Sequence, residues 1–171
     1  FEKFQGTDDT LTTRMKAVGE VMAIGRTFEE ALSKAMRSLE NSRFGLGADG
    51  KAQSGISLED MTDMVARPTP ERIYYAAEAL RAGMSTDEVA HITKIDPFFV
   101  VKINDIVQVQ IALNGVALED IDHDTMLVAK QYGLSDAQIA YLTGTDELTV
   151  RAYRKSIGVI PAFKTVDTCA A

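Results

Sequence analysis

Residues 83–100, GMSTDEVAHITKIDPFFV, return fifty positions later as residues 133–150, GLSDAQIAYLTGTDELTV. In each copy a glycine ends one helix, and a serine followed three residues later by Glu88 or Gln138 caps a second, short helix. An aspartate then opens a third helix in both copies. The apolar positions correspond too, as in Val89 with Ile139, Ala90 with Ala140, Ile92 with Leu142 and Val100 with Val150. The repeat predicts two related helical units, and since two copies are too few for a solenoid we expect them to pack on each other.

Signals of the same kind extend the helical prediction beyond the repeat. The pair Thr27 and Glu30 predicts a helix from about Phe28 to Glu40, with Ala31, Leu32, Ala35, Met36 and Leu39 as its apolar stripe. Further starts are predicted at Ser57 with Asp60, at Thr69 with Pro70 in the first helical position, and at Asp96 with Pro97. A helix around 126–132 and another opened by Asp146 complete the set. The fold class is therefore mainly α, an irregular multi-helix domain.

The run Met15–Arg26, MKAVGEVMAIGR, breaks this helical pattern. Its apolar residues neither alternate nor recur at helical spacing, so we interpret it as a strand that is buried on both faces and ends at Gly25. Such a strand needs neighbouring strands, and the first 26 residues contain no convincing one. Since the chain also does not begin with Met, we expect a short strand-helix remnant of an upstream unit at the amino end.

Glycines are concentrated between Asn41 and Ile56, at positions 45, 47, 50 and 55. This composition favours a mobile loop or linker. The spacing also resembles a phosphate-binding loop, but no Lys-Ser or Lys-Thr pair follows, so loop glycines are the better interpretation.

The composition limits the partners that the chain can have. With 171 residues and 46% hydrophobic residues, it is large enough to bury a core. The net charge of -7 gives no positive field for nucleic acid or anionic lipid, and no apolar stretch approaches the roughly 20 residues of a membrane span. The single Cys169 cannot form an internal disulfide, which fits a cytoplasmic location.

A helix-turn-helix DNA-binding module is the main alternative, because each repeated unit has that outline. The second helix of the first unit offers only Lys102 as a base, whereas the second unit has Arg151, Arg154 and Lys155. Cations near the end of a helix are favoured by its dipole and do not by themselves indicate phosphate contacts. We therefore keep DNA binding as the second hypothesis.

No residue pattern indicates catalysis or metal binding. His91 and His123 lack the neighbouring ligands that a metal site needs, and the acids around His123 are explained by a helix start. Cys169 has no base near it in sequence. We expect no catalytic, cofactor-binding or metal-binding residue in this chain.

Two aromatic pairs indicate a subunit contact instead. Adjacent helical positions point about 100 degrees apart, so Tyr74-Tyr75 and Phe98-Phe99 cannot both lie on the same apolar face. Phe98, joined on that side by Val101, is a candidate exposed apolar patch, and we select Tyr74, Phe98 and Val101 as candidate interface residues. The alternative, to which we give equal weight, is that a neighbouring helix of the same domain covers this patch.

The chain also resembles a known family at both ends. The run from Met15 through the helix start at 27–35 resembles the end of the first ATP-grasp unit in the large subunit of carbamoyl phosphate synthetase, and Lys164–Ala171, KTVDTCAA, resembles the entry to the second unit. The resemblance implies that residues 1–40 are the remnant of the upstream unit, 41–56 a loop or linker, 57–160 a helical oligomerisation domain, and 161–171 a linker into the second unit.

The same resemblance implies a function. Enzymes of this family make carbamoyl phosphate from bicarbonate, ATP and ammonia that a small subunit releases from glutamine, for arginine and pyrimidine synthesis. ATP with magnesium or manganese would be used by the parent enzyme, and its partners would be other large subunits and the glutaminase small subunit. Glu20 and Arg26 would lie near a nucleotide only in a complete ATP-grasp unit, so we expect the fragment itself to be inactive.

Overall fold

The computed structural model describes residues 4–52, 56–167 and 169, without the side chain of Leu58. Gly55 of the expected loop and Thr168, Ala170 and Ala171 of the expected linker lie outside these residues. The described part of the chain forms eight α-helices and one 3-10 turn, Leu118–Asp120: α1 Phe28–Arg37, α2 Leu58–Ala66, α3 Arg72–Arg81, α4 Thr86–Thr93, α5 Pro97–Leu113, α6 His123–Gln131, α7 Asp136–Thr143 and α8 Glu147–Ser156. The mainly α fold is confirmed.

The two copies of the repeat fold alike. Ser85 and Glu88 form a complete capping box at the start of α4, and Ser135 and Gln138 form the same box at the start of α7. Both short helices end in the left-handed region, at Lys94 with φ 58° and at the equivalent Gly144 with φ 70°. The sequence repeat is therefore a repeat of local hydrogen bonding.

The long helix α5 organises the core. It packs against α3 and α4 of its own unit, against α1, and against α7 of the second unit. Val100, Ile103, Ile106 and Val107 of α5 are each at most 2% exposed. Because α5 contacts both units, its burial joins them into one core. None of the helices in residues 4–52, 56–167 and 169 is long and apolar enough to cross a membrane.

The strand predicted for Met15–Arg26 is wrong. The segment is irregular, and its apolar side chains face outward, with Met15 and Met22 each 84% exposed. The physical reason is the lack of a partner: no other strand exists within the described residues to accept its backbone hydrogen bonds.

Two helical details also differ from the prediction. Helix α3 begins at Arg72 rather than at Pro70, because residues 69–72 close a turn in which Arg72 N–H donates to the Thr69 carbonyl at 3.1 Å. Helix α1 ends at Arg37, and its buried face contains Glu29 and Ser33 with Met36, whereas Leu39 is 40% exposed. The face of α1 that packs on the domain is therefore offset around the helix from the apolar stripe that the sequence predicts.

The segment 41–52 is irregular, as its composition predicts, but its middle is anchored in the core. Leu46 is fully buried, and its carbonyl accepts a hydrogen bond from Gln110 Nε2 of α5 at 2.8 Å. The next carbonyl, of Gly47, accepts one from Gln138 Nε2 of α7, also at 2.8 Å. The two glutamines, one from each unit, are at most 1% exposed. The loop therefore fastens the two units together.

Candidate interaction surface

The start of α5 presents apolar side chains to solvent. Asp96 accepts a hydrogen bond from Phe98 N–H at 2.9 Å, and Pro97 occupies the first turn, where its missing N–H costs nothing. This cap fixes the rotation of α5 so that Val100 is buried while Phe98 is 54% and Val101 42% exposed. Phe98 and Val101 are three positions apart and lie on the same face of the helix.

Phe98 is held by two other aromatic rings. Its centroid lies 6.2 Å from that of Phe28 on α1 and 5.3 Å from that of Phe99, and the Phe28 and Phe99 centroids are 5.3 Å apart. The rings meet edge to face or tilted, arrangements that stabilise aromatic pairs. Phe99 itself is 42% exposed, so both members of the pair Phe98-Phe99 reach solvent. We call Phe28, Phe98 and Phe99 the aromatic cluster.

An ion pair next to the aromatic cluster ties α1 to α5. Lys102 Nζ lies 3.0 Å from Glu29 Oε1 and 3.3 Å from Asp105 Oδ2, and the Glu29 side chain is only 7% exposed. Burial by itself would raise the pKa of Glu29, but hydrogen bonds from the backbone and from Lys102 outweigh it and hold that pKa below its ordinary value. The pKa of Lys102 is raised by its bonds to Glu29 and Asp105. The pair fixes Phe28, the preceding residue, against Phe98.

A shallow apolar hollow of about 290 Å³ adjoins the cluster. Phe28 and Phe99 form one wall, and the other lining residues are Leu11, Thr69, Pro70, Arg72, Ile73, Ile95 and Ile103. The segment before α1 reaches this hollow, since Leu11 N–H donates to the Pro68 carbonyl at 2.5 Å. The surface thus combines a projecting ring, Phe98, with a recess beside it.

Tyr74 lies inside the domain rather than on this surface. It is 6% exposed, the Arg43 guanidinium stacks 4.1 Å from its ring centroid, and Asn41 donates to its hydroxyl at 2.9 Å. Burial raises the pKa of Tyr74. Because residues 41–43 cover the ring, Tyr74 drops out of the candidate interface.

Two of the four basic residues named for the helix-turn-helix alternative are bound to carboxylates of the domain itself, whereas Arg151 and Lys155 are exposed. Lys102 is bound by Glu29 and Asp105. Arg154 is 8% exposed, and its Nε donates to both carboxylate oxygens of Asp136 at 2.9 Å. The geometry gives the DNA-binding hypothesis no support.

The histidines and the cysteine lie apart from this surface. His91 is exposed on α4, and His123 Nδ1 lies 2.8 Å from Asp124 Oδ1 at the start of α6. Cys169 is exposed and free. Within residues 4–52, 56–167 and 169, no three His, Cys, Asp or Glu side chains are grouped closely enough to hold a metal ion.

Sequence reasoning missed Phe28, Glu29 and the hollow. Phe28 follows the cap Thr27 directly, and an aromatic residue at that position was a signal that the helix start packs on something. The Glu29–Lys102 pair joins residues 73 positions apart in the chain, and no local pattern encodes it.

Comparison with known proteins adds a family match. A family model described as the oligomerisation domain of the carbamoyl-phosphate synthetase large chain matches residues 20–158. Over 171 residues the chain is 48% identical to the carbamoyl phosphate synthase large chain of Nostoc sp. and 44% identical to that of Synechocystis sp.. The large chain of Archaeoglobus fulgidus is 43% identical over 175 residues. Each match covers 100% of this chain but only 15 or 16% of the relative, so the chain spans about 15% of the length of these proteins.

Proposed function

Since the chain belongs to the family of the carbamoyl-phosphate synthetase large-chain oligomerisation domain, we propose that it joins large chains to one another through the surface around Phe98 and Val101. The observation that carries this proposal is the 54% exposure of Phe98 on a rigid, capped helix start. Large aromatic residues held rigidly on a surface are typical anchors of protein contacts.

The shape of the surface supports a symmetric contact. In a two-fold interface the same patch serves on both subunits and must be complementary to itself. Phe98 is exposed beside an apolar hollow of about 290 Å³ that Phe28 and Phe99 help to line. In the proposed contact the ring from one copy enters the recess of the other, while its own recess receives the partner ring. Complete burial of an exposed Phe side chain is worth roughly 1.5–3 kcal/mol, and because each Phe98 ring is already about half buried, the contact gains about half of that for each ring.

We further propose that the parent enzyme is a glutamine-hydrolysing carbamoyl phosphate synthetase, which uses ATP with magnesium or manganese, pairs with a glutaminase small subunit and works in the cytoplasm. For that enzyme we propose that residues 1–40 continue from the upstream ATP-grasp unit, that 41–56 connect them to the helical domain at 57–160, and that 161–171 lead into the second unit. The family match begins at residue 20, so it already includes helix α1. The outward-facing Met15 and Met22 support this division, because large apolar side chains this exposed are suited to packing against another unit. The residues from the upstream unit meet the helical domain at helix α1, since α1 packs on α5.

The chain alone is proposed to be non-catalytic. Purified as 171 residues, it is expected to show no bicarbonate-dependent ATP hydrolysis. Clear turnover that depends on bicarbonate would contradict this part of the proposal.

Sedimentation velocity over a range of concentrations tests the contact. The wild-type chain is expected to show a mass that rises with concentration, and Phe98→Asp is expected to remain a monomer because the contact would bury an unpaired charge. The matched control is Leu148→Asp, at the equivalent position of the second unit, where the side chain is 74% exposed. A wild-type chain that is monomeric throughout, or a Phe98→Asp variant that associates like the wild type, would overturn the proposal.

A further inference from the structure

Three cations from three helices surround the turn that joins α6 to α7. Arg37 of α1 donates through Nη1 to the Gly133 carbonyl at 2.5 Å. Lys130 of α6 donates to the Leu134 carbonyl at 2.6 Å and to Asp136 Oδ1 at 2.8 Å. Arg154 of α8 donates through Nε to both oxygens of Asp136. We call Arg37, Lys130, Arg154 and Asp136 the cation cluster.

The cation cluster carries more positive than negative charge. Its three cations share one carboxylate, whose own side chain is 10% exposed, and this leaves an excess of two positive charges. The nearby Glu30 of α1 offsets only part of the excess: its charge raises the pKa of Arg37, but its carboxylate is paired with Lys34 at 2.7 Å. It also accepts a hydrogen bond from Arg26 N–H.

This charge lies away from bulk water. Arg154 is 8% exposed, the Lys130 side chain is 27% exposed, and burial lowers the pKa of both Lys130 and Arg37. Removing cations from water without matching anions is costly. The Gly133 and Leu134 carbonyls at the end of α6 offset part of that cost, because the carboxyl end of a helix carries a partial negative charge of roughly half an electron. The excess of two positive charges is larger than this partial negative charge.

The arrangement is also rigid. Arg154 is fixed at a second point, since its Nη1 donates to the Val159 carbonyl at 3.1 Å. Arg37 is only partly buried, and among the residues that the structure describes its hydrogen-bond acceptor is the Gly133 carbonyl, so most of its guanidinium donors remain for a ligand on the open side. Planar guanidinium groups bind carboxylates and phosphates through paired hydrogen bonds.

We propose that the cation cluster is a binding site for an oxyanion, a carboxylate or phosphate group, held between Arg37 and Lys130 with Arg154 behind them. This site goes beyond the proposed self-association and does not involve the aromatic cluster. The oxyanion is either a free small anion or an acidic side chain of a second copy of this acidic chain.

Titration with inorganic phosphate, followed by NMR, tests the site. The 171-residue chain is labelled with ¹⁵N, and the backbone amides of residues 133–136 and the Nε–H of Arg37 and Arg154 are observed at constant ionic strength maintained with sodium chloride. We expect saturable shifts confined to these groups in the wild type. Arg37→Gln is expected to bind at least about tenfold more weakly, because a charge-assisted hydrogen bond is lost. Arg151→Gln, which removes an exposed arginine from the same helix as Arg154, is expected to bind like the wild type.

Two measurements complete the test. Non-saturating shifts in the wild type, or equal binding by wild type and Arg37→Gln, would overturn the proposal; the wild-type result decides even if Arg37→Gln fails to fold. Sedimentation with and without saturating phosphate then identifies the occupant. An unchanged mass indicates a free anion, whereas dissociation of a Phe98-dependent dimer indicates that phosphate displaces an acidic side chain of the second copy.

Discussion

Glu29 on α1 and Lys102 on α5 form an ion pair of 3.0 Å in which the carboxylate is 7% and the ammonium side chain 31% exposed. The pair crosses the contact between the two helices and lies directly beside the aromatic cluster. A carboxylate buried to this degree is tolerated only while a cation and hydrogen bonds compensate it. The position of Phe28, and with it the shape of the proposed interface, therefore depends on this pair.

Replacing Lys102 with methionine is expected to destabilise the domain. The substitution keeps much of the side-chain volume but leaves the Glu29 carboxylate without its cation, so the free energy of unfolding should fall below that of the wild type. Urea denaturation at pH 7 measures the change. Lys155→Met, at an exposed position of α8, is the control and should lie within about 0.5 kcal/mol of the wild type. A Lys102→Met variant as stable as this control would show that the pair contributes nothing.

The stability of the domain is expected to depend on pH through its paired carboxylates. Burial would raise the pKa of Asp136, but Lys130 and Arg154 outweigh it and hold that pKa below the ordinary value of 3.8. The pKa of Glu29 is likewise held below 4.5. A carboxyl group with a depressed folded-state pKa contributes stability above its unfolded pKa and loses it as pH falls through the folded value. The free energy of unfolding should thus be nearly constant from pH 7 to about pH 5 and decline at lower pH.

The variant Asp136→Asn checks that interpretation. It removes one of the titrating groups, so it should be less stable than the wild type at pH 7 and should lose less stability between pH 5 and pH 3. Urea denaturation at each pH gives both quantities. An acid-induced decline as steep as that of the wild type would mean that Asp136 contributes nothing to the pH dependence.

The two buried glutamines are expected to hold the 44–48 loop in place. Gln138→Leu removes the donor to the Gly47 carbonyl and leaves a buried acceptor unpaired, which costs about 1–3 kcal/mol. Amide hydrogen exchange should accelerate in residues 44–48 while the interior of α5 stays protected. Gln108→Leu, at an exposed position on α5, is the control. Unchanged exchange in the loop of Gln138→Leu would contradict the anchoring role.

The helices of this protein could be predicted because their signals are local. Ser85 with Glu88 and Ser135 with Gln138 are each within one turn of the helix they cap, and both boxes form. The burial of Leu46 is different, because its carbonyl meets Gln110 at 64 positions' distance, and Gly47 meets Gln138 at 91. Glycine content indicated an irregular loop, but nothing local indicated that two glutamines would bind it.

Local spacing along the chain also predicted one part of the candidate surface. The angular spacing of adjacent helical residues identified one member of each aromatic pair as facing away from the stripe, and Phe98 is indeed exposed. For Tyr74 the spacing could not show that residues 41–43 fold back over the ring. Periodicity also could not distinguish a two-faced buried strand from an exposed segment at Met15–Arg26, since that depends on whether partner strands are present.

The two helix-ending glycines of the repeat provide a matched pair for the last prediction. Gly83 and Gly133 occupy equivalent positions with φ of +99° and +84°, a region that alanine enters at a cost of about 1–2 kcal/mol. A Cβ at Gly83 would meet nothing within 4 Å, whereas one at Gly133 would lie 2.6 Å from Ser33 Cβ and 3.2 Å from the Glu30 backbone of α1. Gly83→Ala is therefore expected to lose only the stability that alanine costs in this backbone conformation. Gly133→Ala should lose roughly 1–3 kcal/mol more, because α1 must move away from the turn. Urea denaturation of both variants measures the difference, and equal losses would mean that α1 is not packed closely on the second unit.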